Sequence, residues 1–232
     1  MSEGAIVIVG GTKGLGRRLA ERYTERGHDV VITGRDAARA DAVAQEIGPG
    51  TRATALDLAQ PRSIDGCFGG VGAVDRVVLA AIERDSNNVR EYDIDRAIRL
   101  ATLKLVGYTE VLHCLHGHLH DNSSVLMFGG QAKERPYPGS TTVTSVNGGV
   151  TAMVRTFALE LAPVRVNAIH PGIVGDSPAW ENAAEVLEQT RQRTPTGRLV
   201  TMDDVTDAAV FLLENRGMNG VNLEVDGGWV MM

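Results

Sequence analysis

Short apolar runs alternate with amphipathic segments along the chain. AIVIVG (5–10), DVVITG (29–34), ATALDL (53–58), DRVVLAAI (75–82), SSVLMFGG (123–130), VRVNAIHP (164–171) and VNLEVDGG (221–228) are β-branched and nearly continuous in apolar character. That is the pattern of parallel strands covered on both faces. Between them the spacing predicts helices over Leu15–Arg26, Ala37–Ile47, Tyr92–Leu119, Thr144–Leu161 and Asp203–Glu214. In the fourth, Val150, Val154, Phe157 and Leu161 fall on one face. The alternation predicts an α/β protein built on a doubly wound parallel sheet with helices on both faces. No linker, repeat or low-complexity tract divides the chain, so residues 1–232 are expected to form a single domain. The least regular stretch, 172–196, is the candidate for a flap over a site.

Composition narrows the class. Hydrophobic residues make up 43% and charged residues 22%, ordinary globular usage that makes order the expectation. A formal net charge of −6 argues against nucleic acid or an anionic membrane as partner. No apolar run approaches the roughly 20 residues that span a bilayer. The start, MSEGAIVIVGG, lacks a basic segment followed by a signal-type apolar stretch. Cys67 and Cys114 form no framework and fit a reducing compartment, so a cytoplasmic location is expected.

The chemistry begins at GGTKGLGRRLAER, which joins the first strand to its helix. Gly10 permits the tight turn, Gly14 lets backbone approach a pyrophosphate, and Gly16 lets the helix pack close to the sheet. The helix N-terminus then offers N–H groups and partial positive charge to phosphates. Placed there, the motif predicts a Rossmann-type dinucleotide site. The second strand ends in TGRD. Arg35, with Lys13 inside the glycine loop, fits the 2′-phosphate of NADP(H) better than the ribose hydroxyls of NAD(H). The other reading leaves both as solvated surface charges, with Asp36 capping the next helix. Asp57 is placed to accept from the adenine amino group, or to cap a helix near Pro61.

At this point the chain resembles a short-chain dehydrogenase/reductase over nearly its whole length. GGTKGLG, the HPG at 170–172 and the closing TGRLVTMDDVTDAAVFLLEN…GVNLEVDGGW carry the resemblance. It implies seven strands in the order 3-2-1-4-5-6-7. It also implies a homotetramer or homodimer packed through the helices around 92–119 and 144–161. Its cofactor contacts fall on Gly10, Thr12, Lys13, Gly14, Leu15 and Gly16. Beyond the glycine loop they fall on Arg35, Asp57, Leu58 and Ala80, then on Asn147, Pro171, Gly172 and Ile173. The family's catalytic tyrosine, however, falls on Val143 and its lysine on Asn147, since VTSVNGGV stands where YxxxK should open a helix. The serine falls on Gly130 and the asparagine on Thr102. The family's Asn-Asn-Ala-Gly after the fourth strand is here Leu79-Ala80-Ala81-Ile82.

Other candidates are weaker. Tyr137, with Lys133 and Glu134, lies on the loop after the fifth strand. Asp176 stands where the family has a threonine, and is either a new acid/base group or a flap residue. His170 either faces the site or is a satisfied strand-end histidine. In HCLHGHLH (113–120), His113, His116 and His120 lie near one helical face, but Gly117 interrupts it; solvated or interface histidines are expected there, and no metal. Gly148 and Gly149 inside a helix point to close packing or extra room near the nicotinamide. The expectation is an NADP(H)-binding divergent reductase of a small molecule. The alternatives are a nucleotide-bound isomerase, cyclase or lyase, or a non-catalytic NADP(H) sensor.

Overall fold

The computed structural model describes residues 4–232, so the first three residues of the expected domain lie outside it. Seven strands form one sheet: β1 (Ala5–Val9), β2 (Val30–Gly34), β3 (Thr51–Ala55), β4 (Val74–Leu79), β5 (Leu119–Phe128), β6 (Arg165–Pro171) and β7 (Asn222–Val225). Their order is β3-β2-β1-β4-β5-β6-β7, and every pairing is parallel. The helices are α1 (Gly14–Glu25), α2 (Ala37–Ile47), α3 (Ile94–Ala101), α4 (Tyr108–Leu115), α5 (Thr141–Glu160), α6 (Ala184–Arg193) and α7 (Met202–Glu214).

Alternation along β1 sets the two faces. Val7 and Val9 enter a core with Tyr108, Val111, Val150 and Val154, from α4 and α5. Ile6 and Ile8 enter the opposite core with Leu19, Tyr23, Val205 and Ala209, from α1 and α7. With both faces covered, all five residues of β1 are buried, which explains its unbroken apolar run.

Several boundaries differ from the sequence expectation. β3 covers 51–55 rather than 53–58, because this edge strand pairs only with β2, in a register that aligns Val30 with Thr51. Leu56 and Leu58 are buried just past its end. The helix expected over Tyr92–Leu119 is interrupted by a π-helical turn, Thr102–Gly107, between α3 and α4. α5 starts three residues earlier than Thr144. The stretch read as irregular, 172–196, contains α6, whose AEVLEQTRQR is rich in good helix formers. The three histidines fall in three elements: His113 in α4, His116 in the 3₁₀ turn that follows it, and His120 in β5, with its Nε2 2.9 Å from Asp75 Oδ1.

Helix starts are treated unequally. Asp36, Asp93 and Thr201 cap α2, α3 and α7 by accepting from backbone N–H groups. α1 and α5, both at the C-terminal edge of the sheet, begin without a side-chain cap. No helix among the described residues is long and apolar enough to cross a membrane.

Candidate functional site

The expected cofactor residues converge on the C-terminal edge of the sheet. Gly10 to Gly16 join β1 to α1; Arg35 follows β2; Asp57 and Leu58 follow β3; Ala80 follows β4; Pro171 ends β6, followed by Gly172 and Ile173. In such sheets ligands bind outside the strands' carboxyl ends, where the strand order reverses, here between β1 and β4. Gly10 has φ +90°, and a Cβ on it would stand 2.6 Å from the Ala81 nitrogen. A Cβ on Gly16 would meet the Gly10 carbonyl oxygen. The loop is therefore folded tightly against both β4 and α1. Gly14, at φ +55°, has nothing within 4 Å of the corresponding position, so its backbone faces open space.

The helix α5 places the remaining candidates. Val143 lies in its first turn, and Asn147 is one turn further on, buried at 3% exposure. A Cβ on Gly130 would stand 2.9 Å from Asn147 Nδ2, so the amide fills the space of a side chain there. The Oδ1 of Asn147 is buried with no hydrogen-bond partner among the described residues. Next to Gly130, His170 occupies the side-chain space of Gly129. Its Nδ1 accepts from the Gly130 N–H at 3.2 Å, and its Nε2 donates to Asn222 Oδ1 at 2.8 Å. Burial pushes its pKa down, so this is a neutral, satisfied strand-end imidazole. Gly149 packs against Leu105, while Gly148 has open space beside it.

Two weaker candidates are placed elsewhere. Asp176 Oδ1 accepts from the Met202 N–H at 2.7 Å and so helps to hold the start of α7. Tyr137 is 52% exposed; its backbone N–H donates to Ser140 Oγ at 3.0 Å and its carbonyl accepts from the Ser140 N–H at 2.9 Å. Asp57 does not cap the turn at Pro61, where Gln60 is the cap residue. Its Oδ1 accepts from the Ala59 N–H at 3.0 Å. Asp36 does cap α2, through the Arg39 N–H.

Sequence reasoning missed a buried pair beneath the site. Lys104, in the π-helical turn, is 1% exposed. Its Nζ donates to the Phe128 carbonyl at 2.6 Å and to Tyr108 Oη at 2.9 Å. Tyr108 in turn donates to the Ala81 carbonyl at 2.8 Å. The pair thus ties together the ends of β4 and β5. Desolvation lowers the Lys104 pKa to about 7 and lifts that of Tyr108 well above the usual phenol range. The signal was a lysine on the otherwise buried stripe of Leu100, Tyr108 and Leu112. Arg84 was missed too: it donates to the Ala179 carbonyl and lies over the Trp180 ring, 4.6 Å from its centroid. It thereby joins the loop after β4 to the segment 172–196.

A family model described as enoyl-(acyl carrier protein) reductase matches residues 9–230. The 3-oxoacyl-[acyl-carrier-protein] reductase of Bos taurus is 29% identical, over 95% of each chain. The L-xylulose reductase of the same organism is 27% identical, over 97% of this chain and 95% of its own. Among solved structures, a 3-ketoacyl-(acyl-carrier-protein) reductase from Brucella melitensis, complexed with NADH, superposes with a TM-score of 0.87 at 28% identity, over 99% of both chains. With the glycine loop, the strand order and this near-complete match in agreement, the chain belongs to the short-chain dehydrogenase/reductase family.

Proposed function

We propose that the protein is an NADP(H)-dependent reductase whose small-molecule substrate, an activated C=C or C=N compound, is reduced without a tyrosine acid from the protein. The observation that carries this reading is the Gly130–Asn147 contact at the start of α5, beside an intact glycine loop. Where the family has serine, tyrosine and lysine, this chain has Gly130, Val143 and Asn147, with Thr102 at the asparagine position. Valine has no proton to give, and the amide of Asn147 does not ionise. A positioned acid contributes on the order of 10²–10⁴ in rate, so substrates that depend on one are poor candidates.

The residues present fit a nicotinamide dinucleotide. The uncapped start of α1 directs N–H groups outward for a pyrophosphate, and the unpartnered Asn147 Oδ1 is a ready acceptor for a ribose hydroxyl. Lys13 and Arg35 supply positive charge for a 2′-phosphate. When bound, the nicotinamide supplies a hydride. The chain's part is to orient it and, through the Arg84–Trp180 contact, to hold the flap over the groove. A homo-oligomer packed through α3, the π-helical turn and α5 accounts for the exposed Ile94, Ile98, Val106 and Leu159.

The test begins with fluorescence titration of the nucleotide-free protein with NADPH and NADH. NADPH is expected to bind more tightly, and Arg35→Ala to weaken NADPH about tenfold while sparing NADH, the scale of one charge-assisted contact. NADPH oxidation is then followed against carbonyls, enones and imines; turnover only of carbonyls overturns the C=C or C=N substrate reading, and turnover of nothing overturns the reductase reading. A reconstruction makes the same point. Val143→Tyr with Asn147→Lys is expected to gain little ketone reduction, because Gly130 and Thr102 still offer no serine or asparagine. Robust ketone turnover by that double variant in the same assay would show the rest of the site to be competent.

A further inference from the structure

Beside the cofactor groove lies a charge cluster that hydride transfer does not use. Glu83 lies on the loop after β4, and its Oε1 stands 2.5 Å from Arg35 Nη1 and 2.6 Å from Arg99 Nη2. Its Oε2 accepts from Arg99 Nε at 2.8 Å. One carboxylate oxygen therefore gathers guanidinium nitrogens from the end of β2 and from α3, holding them within about 5 Å of each other. Arg99 Nη2 also lies 3.5 Å from Asp57 Oδ2, which follows β3. Arg35 is the open side of the cluster, with its side chain 63% exposed against 23% for Glu83.

Two guanidinium groups converging on one anionic oxygen is the arrangement that a phosphate monoester uses, since each arginine presents a planar set of donors. We propose that Glu83 is an internal competitor for the 2′-phosphate of NADP(H), and that Arg99 is the second arginine, beside Arg35, to which that phosphate transfers. This rests on the NADP(H) reading. The phosphate must displace a carboxylate already bonded to both arginines, whereas an unphosphorylated ribose leaves the cluster intact. Glu83 therefore narrows the preference for NADP(H) over NAD(H) instead of creating it. Its removal takes this counter-charge from both arginines and leaves Arg99 only the longer Asp57 contact, which raises their attraction for an incoming anion.

The experiment is a titration of the full chain and its variants with NADPH, NADH and adenosine 2′,5′-bisphosphate, the last reporting on the adenosine half alone. Glu83→Gln is expected to tighten NADPH and the bisphosphate about tenfold and to leave NADH within about twofold, with the gain shrinking at high salt. Arg99→Met is expected to weaken NADPH and the bisphosphate about tenfold with NADH again spared. Unchanged NADH binding certifies the fold of each variant, and thermal unfolding confirms it. If Glu83→Gln weakens NADPH, leaves it unchanged or tightens NADH equally, Glu83 is not a competitor. If Arg99→Met spares the bisphosphate, Arg99 is not a phosphate ligand. Should Arg35→Ala weaken NADPH while these two predictions fail, only this proposal falls; if Arg35→Ala spares NADPH, the NADP(H) reading falls and this proposal with it.

Discussion

Lys104→Met is expected to change stability with a pH dependence that few single substitutions show. The Lys104 pKa is about 7 in the fold, against an ordinary value of 10.5. Between those values the unfolded chain carries a proton that the folded chain does not, so lowering the pH favours unfolding. The penalty is fully present below about pH 7 and disappears above about pH 10.5. At 1.36 kcal/mol per unit, the wild type should gain about 4 kcal/mol on the methionine variant between pH 7 and pH 10. At pH 10 the variant is the less stable of the two, because the Phe128 carbonyl and Tyr108 lose a donor. At pH 7 the order narrows or reverses. Urea unfolding at the two pH values, compared between wild type and variant, measures this directly; a constant difference would mean that Lys104 titrates like a free lysine. The geometry agrees with a neutral amine, whose two N–H bonds match the two acceptors present.

Gly16→Ala carries the second large effect. The added Cβ would be driven against the Gly10 carbonyl oxygen, and neither atom can rotate away, since both are fixed to backbone. The start of α1 must move away from the loop. Overpacking of this kind costs about 1–3 kcal/mol, and displacement of a binding frame by about 1 Å reduces function by about a hundredfold. NADPH affinity should fall on that scale, read by the same titration, with a lowered midpoint of thermal unfolding. Gly14→Ala is the comparison for stability alone, since Gly14 is itself expected to face the pyrophosphate: its Cβ meets no atom within 4 Å among the described residues, and its strain comes only from φ +55°, about 1–2 kcal/mol for a residue with a Cβ. If Gly16→Ala lowers the unfolding midpoint no further than Gly14→Ala does, the close approach at Gly16 is not what shapes the loop.

What the sequence disclosed follows from how local each signal is. The β1–loop–α1 unit lies within about twenty residues and was legible in its spacing alone. The strand order came with the family resemblance, and the parallel pairing with the doubled apolar faces. β3 was misplaced because an edge strand with one neighbour has a mixed burial pattern, here intermediate, exposed, intermediate, intermediate, exposed. The capping role of Asp176 joins residues 26 apart, and the Glu83–Arg35 contact joins residues 48 apart. No periodicity reports such pairs. Lys104 was visible as an odd residue on an apolar stripe, but the Phe128 carbonyl that accepts from it, and the Ala81 carbonyl that accepts from its partner Tyr108, follow from two other strands. The glycine at 130 could be read as a missing serine, yet that its space is taken by Asn147 is a fact of packing.

That packing constrains the order in which such a site can change. The ring of His170 stands where a side chain on residue 129 would go, and the amide of Asn147 where one on residue 130 would go. A serine introduced at 130 while Asn147 remains meets an occupied volume, whereas a lysine introduced at 147 while glycine remains finds no hydroxyl to work with. Residues 130 and 147 are thus coupled through one shared volume: a side chain added at 130 is accommodated only where the amide at 147 gives way, so the two positions are expected to change together.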